Sequence, residues 1–386
     1  MNMRLQRIAI ITIAALVSMT MQAQLFRPMG LGEELCKRQY NSFMPQMHVE
    51  ENTLYVCTNQ GLYSKDLTRD ESEWQLAGFE GIPLQDYARN GEDILALRHN
   101  VDSCFLLLSH DGGQTYEDIT SSDLIVNNPL NHNVMIRLAQ HPDDPNTLLV
   151  LSNIWGIYRS TDFGRTWSRL GGNTIGSFFG YHPARPEIIY NSGEDDIFEP
   201  VINISYDNGQ TWDCMCPFWT GDNTAYQIAF NPSNPDRWIF GAYGNMCTTN
   251  DNGHTWSLCE LNQDARRSIW LQTAYDSDNS NIVYTVSSGK IMCSTDDGDS
   301  WLAPQTVEAA NIGVYDFKQY GDKLLLFTRT DVYVASKAEL LTQSSVQDVK
   351  HDDAEGSSET YDLQGKRISH PSNGIFIKNG KKVVVK

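Results

Sequence analysis

Ser109-His110-Asp111-Gly112-Gly113-Gln114-Thr115-Tyr116 is the first of five segments built on one pattern. It returns as Ser160-Thr161-Asp162-Phe163-Gly164-Arg165-Thr166-Trp167 and as Ser205-Tyr206-Asp207-Asn208-Gly209-Gln210-Thr211-Trp212. Two more copies are Thr249-Asn250-Asp251-Asn252-Gly253-His254-Thr255-Trp256 and Ser294-Thr295-Asp296-Asp297-Gly298-Asp299-Ser300-Trp301. Each residue type has a physical task. The Ser and Asp side chains accept hydrogen bonds from turn amides and fix a tight connection between two strands. Gly supplies a positive φ, Thr suits the strand that follows, and the aromatic plugs the hydrophobic layer beside it. The pattern reads as a structural turn. It already explains Asp296-Asp297-Gly298-Asp299 without a calcium loop.

The Asp positions 111, 162, 207, 251 and 296 are spaced by 51, 45, 44 and 45 residues. A period near 45 with about four strand-like runs per repeat signals a β-propeller. A second repeated feature sits about twenty residues before each later box. It reads His141-Pro142-Asp143-Asp144-Pro145-Asn146, His182-Pro183-Ala184-Arg185-Pro186-Glu187, Asn231-Pro232-Ser233-Asn234-Pro235-Asp236 and, worn down, Asp276-Ser277-Asp278-Asn279-Ser280-Asn281. Lying between two apolar runs, it is expected to be the inner hairpin turn of each blade. One period upstream, Thr53–Cys57 and Gly61–Asp66 end at Trp74; one period downstream stand Lys323–Phe327 and Asp331–Ser336. These degenerate copies predict an all-β fold, a seven-bladed propeller over 36–347, with six blades as the alternative if a terminal copy is no blade. How the ring closes is not legible at this level. The S-x-D-x-G-x-T-W form itself resembles the Asp box, or BNR repeat, which implies a structural role for Asp111, Asp162, Asp207, Asp251 and Asp296 on the rim away from the active face.

The chain has 386 residues, 29 Lys+Arg, 48 Asp+Glu and a net charge of -19. An acidic balance excludes a nucleic-acid groove, which needs clustered Lys and Arg. With 9 Trp, 17 Tyr and 28 Gly, the composition favours β structure and turns over helical classes. Both ends read as addresses. Arg4 and Arg7 precede the apolar run Ile8–Val17 and a small-to-polar stretch ending Gln22-Ala23-Gln24. This is the form of a secretory signal peptide over 1–23, and the run is too short for a comfortable membrane span. No membrane span is expected after cleavage, so the product is expected in the periplasm, on the cell surface or outside the cell. Residues 348–359 read as a polar linker. Beyond it, Tyr361-Asp362-Leu363-Gln364-Gly365-Lys366-Arg367-Ile368 and Gly374–Lys386 suggest short strands separated by Asn-Gly turns. This tail, 360–386, resembles the end of the type IX secretion "type A" sorting tail of exported Bacteroidota proteins.

Cys36, Cys57, Cys104, Cys214, Cys216, Cys247, Cys259 and Cys293 contain no C-x-x-C pair. Structural cysteines are expected rather than a metal site, and no cofactor is implied. Cys247 and Cys259 flank one predicted hairpin and are a candidate disulfide.

Departures from the period point to the functional face. An excess of about six residues falls in 120–133, and another four or five fall in Asn191–Pro200. The resemblance implies ligand binding on the loop face opposite the boxes. There the candidate ligand-binding residues are Trp155, Trp219, Tyr243, Arg266, Arg267, Trp270 and Arg329, with His99 and Asp102 nearby. Aromatic platforms beside carboxylates suit sugar rings. Glu194, Asp195 and Asp222 are the candidate catalytic carboxylates for acid–base glycoside chemistry, against the reading of a solvated acidic loop. Asp boxes also occur in sialidases. Those resemble a six-bladed form with an Arg triad and a Phe-Arg-Ile-Pro motif, of which Phe26-Arg27-Pro28-Met29 is a superficial echo. The even period is more similar to propellers of xyloglucan-type endoglucanases, sortilin-like receptors and photosystem II assembly factors. The expectation is an exported propeller that binds a glycan or an extracytoplasmic protein; the alternative is a glycoside hydrolase or polysaccharide lyase.

Overall fold

The computed structural model describes residues 25–37, 44–100, 103–122, 124, 127–128, 131–132, 135–152, 156–172, 175–194, 200–215, 227–242, 244–259, 261, 265–266, 268, 270–287, 289–307, 313–346, 360–361, 367–368, 374–378 and 381–385. Seven four-stranded antiparallel sheets follow one another along the chain up to residue 336. Blades one to six span Met47–Gly78, Leu84–Asp118, Met135–Gly171, Ile175–Met215, Ile228–Cys259 and Trp270–Thr306. Each blade is a meander, innermost strand first. Blade seven takes three strands from Val314–Tyr320, Lys323–Thr328 and Val332–Ser336. Its fourth comes from the other end of the chain, because Arg27–Pro28 pairs with Val334 and Tyr333. Seven blades, not six, make the ring.

The closure explains two features of the sequence. Phe26-Arg27-Pro28-Met29 is the latch: Phe26 is buried, and the Met29 amide donates to Val332 O at 2.8 Å. Blade seven lacks a box because its third and fourth strands are not consecutive. Ser336 pairs with Lys323 just as the box Ser294 pairs with Val283, but the chain then enters the helix Lys337–Val346.

Hydrophobic alternation sorts the second strands onto two faces, as a period of two requires. Leu148 and Val150 pack toward blade two, and Leu149 and Leu151 toward blade four. Leu324 and Leu326 face blade six, while Leu325 and Phe327 face blade one. The result is seven apolar cores, one per blade interface, the interface across the closure included.

The five boxes repeat one hydrogen-bond set. In the first, Ser109 Oγ lies 2.8 Å from Asp111 Oδ1 and accepts from Gly113 N at 2.7 Å; Asp111 accepts from Thr115 N at 2.8 Å and Thr115 Oγ1 at 2.7 Å. Asp162, Asp207, Asp251 and Asp296 hold Thr166, Thr211, Thr255 and Ser300 the same way. The hydroxyl and amide of Thr115 hold Asp111 down to about 2, and Thr211 does the same for Asp207. Glycine is required for conformation and for space. Gly164 has φ +88, and a Cβ there would lie 2.5 Å from Leu95 Cδ2 of blade two. Each box thus wedges against the preceding blade. Trp167 fills the same gap, whereas Tyr116 is 42% exposed and stacks on Phe79 at 5.4 Å.

The inner hairpin turns reach the box turns of their own blades: Phe163 N donates to Asn146 O, Asn208 N to Glu187 O and Asn252 N to Asp236 O. Both turn sets therefore share one rim. His182 caps its turn from a fully buried position, its Nδ1 accepting from Ala184 N and Arg185 N at 3.1 and 3.2 Å. Its Nε2 donates to Pro235 O of blade five at 2.9 Å. Asn231 does the same task one blade on, accepting from Ser233 N and Asn234 N. Burial pushes His182 below its ordinary 6.5, so the folded state needs the neutral ring. Stability from this site is complete above pH 6.5 and falls as pH drops below it, where the unfolded chain takes up the proton first. His182→Ala is expected to cost about 1–3 kcal/mol, since it orphans buried amides. His182→Asn should retain the cap and lose that pH dependence; urea melts from pH 7.5 to 5 check both.

The predicted Cys247–Cys259 disulfide is not formed. Cys247 pairs with Leu258 and Met246 with Cys259, so the two sulfur atoms leave opposite faces of the sheet. Cys247 sits in the core between blades four and five; Cys259 packs toward blade six, its Sγ donating to Asp299 O at 3.4 Å. Residues 345–386 form a second unit, with a four-stranded sheet ordered Arg367–Ile368, Thr360–Tyr361, Gly374–Lys378, Lys381–Val385. Among the described residues no helix is long and apolar enough to cross a membrane.

Candidate functional site

Inner strands run from the loop rim to the box rim, so their edges line the central channel. Five carry a register slip at corresponding positions, between Leu84 and Asp86, Met135 and Arg137, Gly176 and Phe178, Trp270 and Gln272, and Val314 and Asp316. A bulge re-aims the side chain that follows it. In three of the five that side chain hydrogen-bonds the next inner strand. Asp86 Oδ2 accepts from Leu138 N at 2.9 Å, Asp316 Oδ2 from Met47 N at 3.0 Å, and Gln272 Nε2 donates to Tyr315 O at 2.9 Å.

The remaining oxygens are also used. Asp86 Oδ1 accepts from Tyr87 N at 2.9 Å and from His48 Nε2 at 2.7 Å. Asp316 Oδ1 accepts from Phe317 N and Lys318 Nζ, both at 2.9 Å. Carboxylates only 1% exposed are tolerated because both oxygens of each are engaged, with three hydrogen bonds accepted by each group. Arg137 stands over the Phe178 ring at 4.7 Å, its guanidinium pushed down by burial and held up by Asp316 and Asp86.

Toward the box rim the channel opens into a cavity of about 500 Å³ bounded by the inner strands of blades seven, one, two and three. His48, Glu50, Tyr87, Arg89, Gln140 and Lys318 bring polar heads to it. Tyr87 donates its hydroxyl to Glu50 Oε1; burial, then the Glu50 charge, pushes that hydroxyl up and keeps it a donor. Arg89 Nε lies 2.9 Å from Glu50 Oε2 as an ion pair without hydrogen-bond alignment, and its guanidinium covers the Tyr55 ring at 4.8 Å. This cluster was missed from sequence, though a signal existed: polar or charged residues interrupt apolar inner strands at matching positions.

The predicted loop-face residues divide three ways. Arg266 and Arg329 are exposed, Arg266 Nε donating to Leu261 O at 2.8 Å and Arg329 lying in the turn between Lys323–Thr328 and Val332–Ser336. Trp270 is a correction. It is fully buried, its indole donates to Ala265 O at 3.3 Å, and it fills the core between blades five and six with no face open to a ligand. Glu194 ends a ten-residue strand, opposite Ile175 and Pro200. The insert Asn191–Pro200 thus begins as strand rather than loop, with Asn191 buried and donating to Gly172 O. Trp155, Asp195, Trp219, Asp222, Tyr243, Arg267 and Asp102 lie outside the described residues, as does the side chain of His99. The excess in 120–133 includes a small ladder, Asn127–Asn128 against Asn131–His132. No group of three His, Cys, Asp or Glu suited to a metal occurs among the described residues.

The BNR/Asp-box repeat model matches residues 158–169, the third strand and box of blade three. A search of curated proteins gives no significant match. Among solved structures the chain is similar to YCF48 bound to D1 peptide, at 16% identity and TM-score 0.55, over 82% of this chain and 96% of that one. It is similar to the GH74 xyloglucanase from Xanthomonas campestris, at 17% identity and TM-score 0.58, over 80% of this chain and 53% of the enzyme. A third is the extracellular domain of a putative hybrid two component system from B. thetaiotaomicron, at 10% identity and TM-score 0.57, over 81% and 40%. Identities this low establish a common propeller fold.

Proposed function

We propose that this is an exported β-propeller that binds an extracytoplasmic protein or a glycan through the loop face opposite the Asp boxes. The observation that carries this reading is the pair of exposed arginines, Arg266 and Arg329, on that face of an otherwise acidic chain. Cations held on a rigid rim select acidic partners and steer their approach. A similar structure, YCF48, is bound to a peptide, which supports a binder. The described channel carboxylates Asp86 and Asp316 each hold two backbone amides across or along the strands, with His48 and Lys318 as third partners, which suits structure more than proton transfer.

Export rests on the signal-like segment 1–23 and the sorting-like tail. The enzyme reading rests on the lengthened blade-four hairpin, which carries Glu194 to its end, with Asp195 and Asp222 as partners. A glycan array, a cross-linking screen with periplasmic and surface proteins, and reducing-sugar release assays separate the readings. Arg266→Glu with Arg329→Glu should weaken capture of the bound ligand at least about tenfold, while exposed substitutions leave stability within about 0.5 kcal/mol. Capture unchanged by the double reversal overturns the loop-face assignment. Sugar release abolished by Glu194→Gln or Asp222→Asn would replace binding with catalysis.

A further inference from the structure

We propose that the cavity at the box-rim end of the channel is a second binding site, for a small carboxylate-bearing molecule of uronate size. It lies at the opposite end of the inner strands from the loop face and stands independently of the loop-face reading. A volume of about 500 Å³ suits a monosaccharide-sized ligand. What selects the ligand is which valences remain open once the internal bonds are made.

The acceptors are largely closed. Both oxygens of Asp86 and of Asp316 take backbone amides, with His48 and Lys318 completing them. Glu50 takes the Tyr87 hydroxyl on one oxygen and the Arg89 cation on the other. The donors are largely open. An ammonium carries three N–H groups, and Lys318 directs one to Asp316. Arg89 lays its guanidinium on the Tyr55 ring and sits beside Glu50 without hydrogen-bonding it through Nε, which leaves its two terminal amino groups to form a fork. Gln140 spends its amide nitrogen on Arg89 O and Pro145 O, leaving its oxygen to accept from a hydroxyl.

Charge sets the valence of the ligand. Among the residues lining the cavity, Arg89 and Lys318 exceed Glu50 by one charge, which suits a monoanion, while Asp86 and Asp316 beneath His48 and Lys318 oppose a multiply charged phosphate. The donors come from separate blades, Lys318 from blade seven and Arg89 from blade two, with blade one's His48 at the same cavity. Only a closed ring brings them together.

The test is titration of the full chain with sodium glucuronate, glucose and inorganic phosphate, followed by calorimetry and by the thermal midpoint. Glucuronate should bind and raise the midpoint, glucose should do neither, and phosphate should bind at least tenfold more weakly than glucuronate. Lys318→Gln, which keeps a donor for Asp316, should weaken glucuronate at least tenfold. Arg89→Lys, which keeps the charge and removes the fork, should do so as well and serves if Lys318→Gln does not fold. No binding by the unsubstituted chain, equal binding of glucose, preference for phosphate, or unchanged affinity in a folded variant overturns the site. Arg266→Glu with Arg329→Glu should leave glucuronate binding unchanged, so failure of the loop face and failure of this cavity are read separately.

Discussion

Deletion of residues 25–29 is expected to abolish the single cooperative unfolding transition and expose blade seven to protease. Those residues supply the fourth strand of a blade whose other three lie some 300 positions away, Arg27 pairing with Val334 and Pro28 with Tyr333. Without them, the edge of Val332–Ser336 is unpaired, and an open edge is the vulnerable feature of any sheet. Phe26 is 1% exposed and packs with Tyr284, Val286, Phe317 and Leu326 of blades six and seven. Phe26→Ala alone should cost about 3–5 kcal/mol through lost burial and the cavity left behind. Met29 adds a second tie, because its carbonyl accepts from Trp74 Nε1 of blade one at 3.0 Å. Calorimetry and limited proteolysis with mass mapping read the outcome. An unchanged melting profile and no new cleavage within 314–336 would show that the latch is dispensable.

Asp316→Ala is expected to be the most damaging substitution inside the channel, at about 3–5 kcal/mol, the cost of leaving the buried amides of Met47 and Phe317 without an acceptor. The variant strands Lys318 Nζ and leaves Met47 N of blade one without its acceptor, so it loosens the joint that the latch also spans. Asp70→Ala is the control, because Asp70 pairs with Lys323 Nζ at 2.7 Å but is 87% exposed. That exposed pair should leave stability nearly unchanged, since water competes for both ions. Urea denaturation of the two variants compares the same chemistry at two levels of burial. Equal losses would mean that burial of Asp316 contributes nothing.

The ring was legible because its turn is an eight-residue device that needs no distant partner. Asp111 satisfies Thr115 and Ser109 satisfies Gly113, all within one turn, so the pattern states its own geometry. The interface role of the box glycine was less legible, since the contact between Gly164 and Leu95 joins two blades. Trp270 shows the limit on the functional side: an aromatic at the entrance of an inner strand looks the same in sequence whether it faces a ligand or fills a core. Its surroundings, Ala265, Met246 and Ile239, come from blade five and the connection after it. Cys247 and Cys259 show the limit for pairing, because a register shift of one residue moves a side chain to the other face.

By itself the sequence determined the repeat, a ring of six or seven blades and the acidic character, because local turn chemistry and alternation recur about every 45 residues. Tertiary structure alone decided how the ring closes and which polar groups meet in its channel. Phe26 finds Phe317, Met47 finds Asp316 and Leu138 finds Asp86 only when strands far apart in the chain are brought edge to edge. Buried carboxylates hold their places there because a neighbouring blade supplies the amide, and no stretch of sequence contains both halves of that bond.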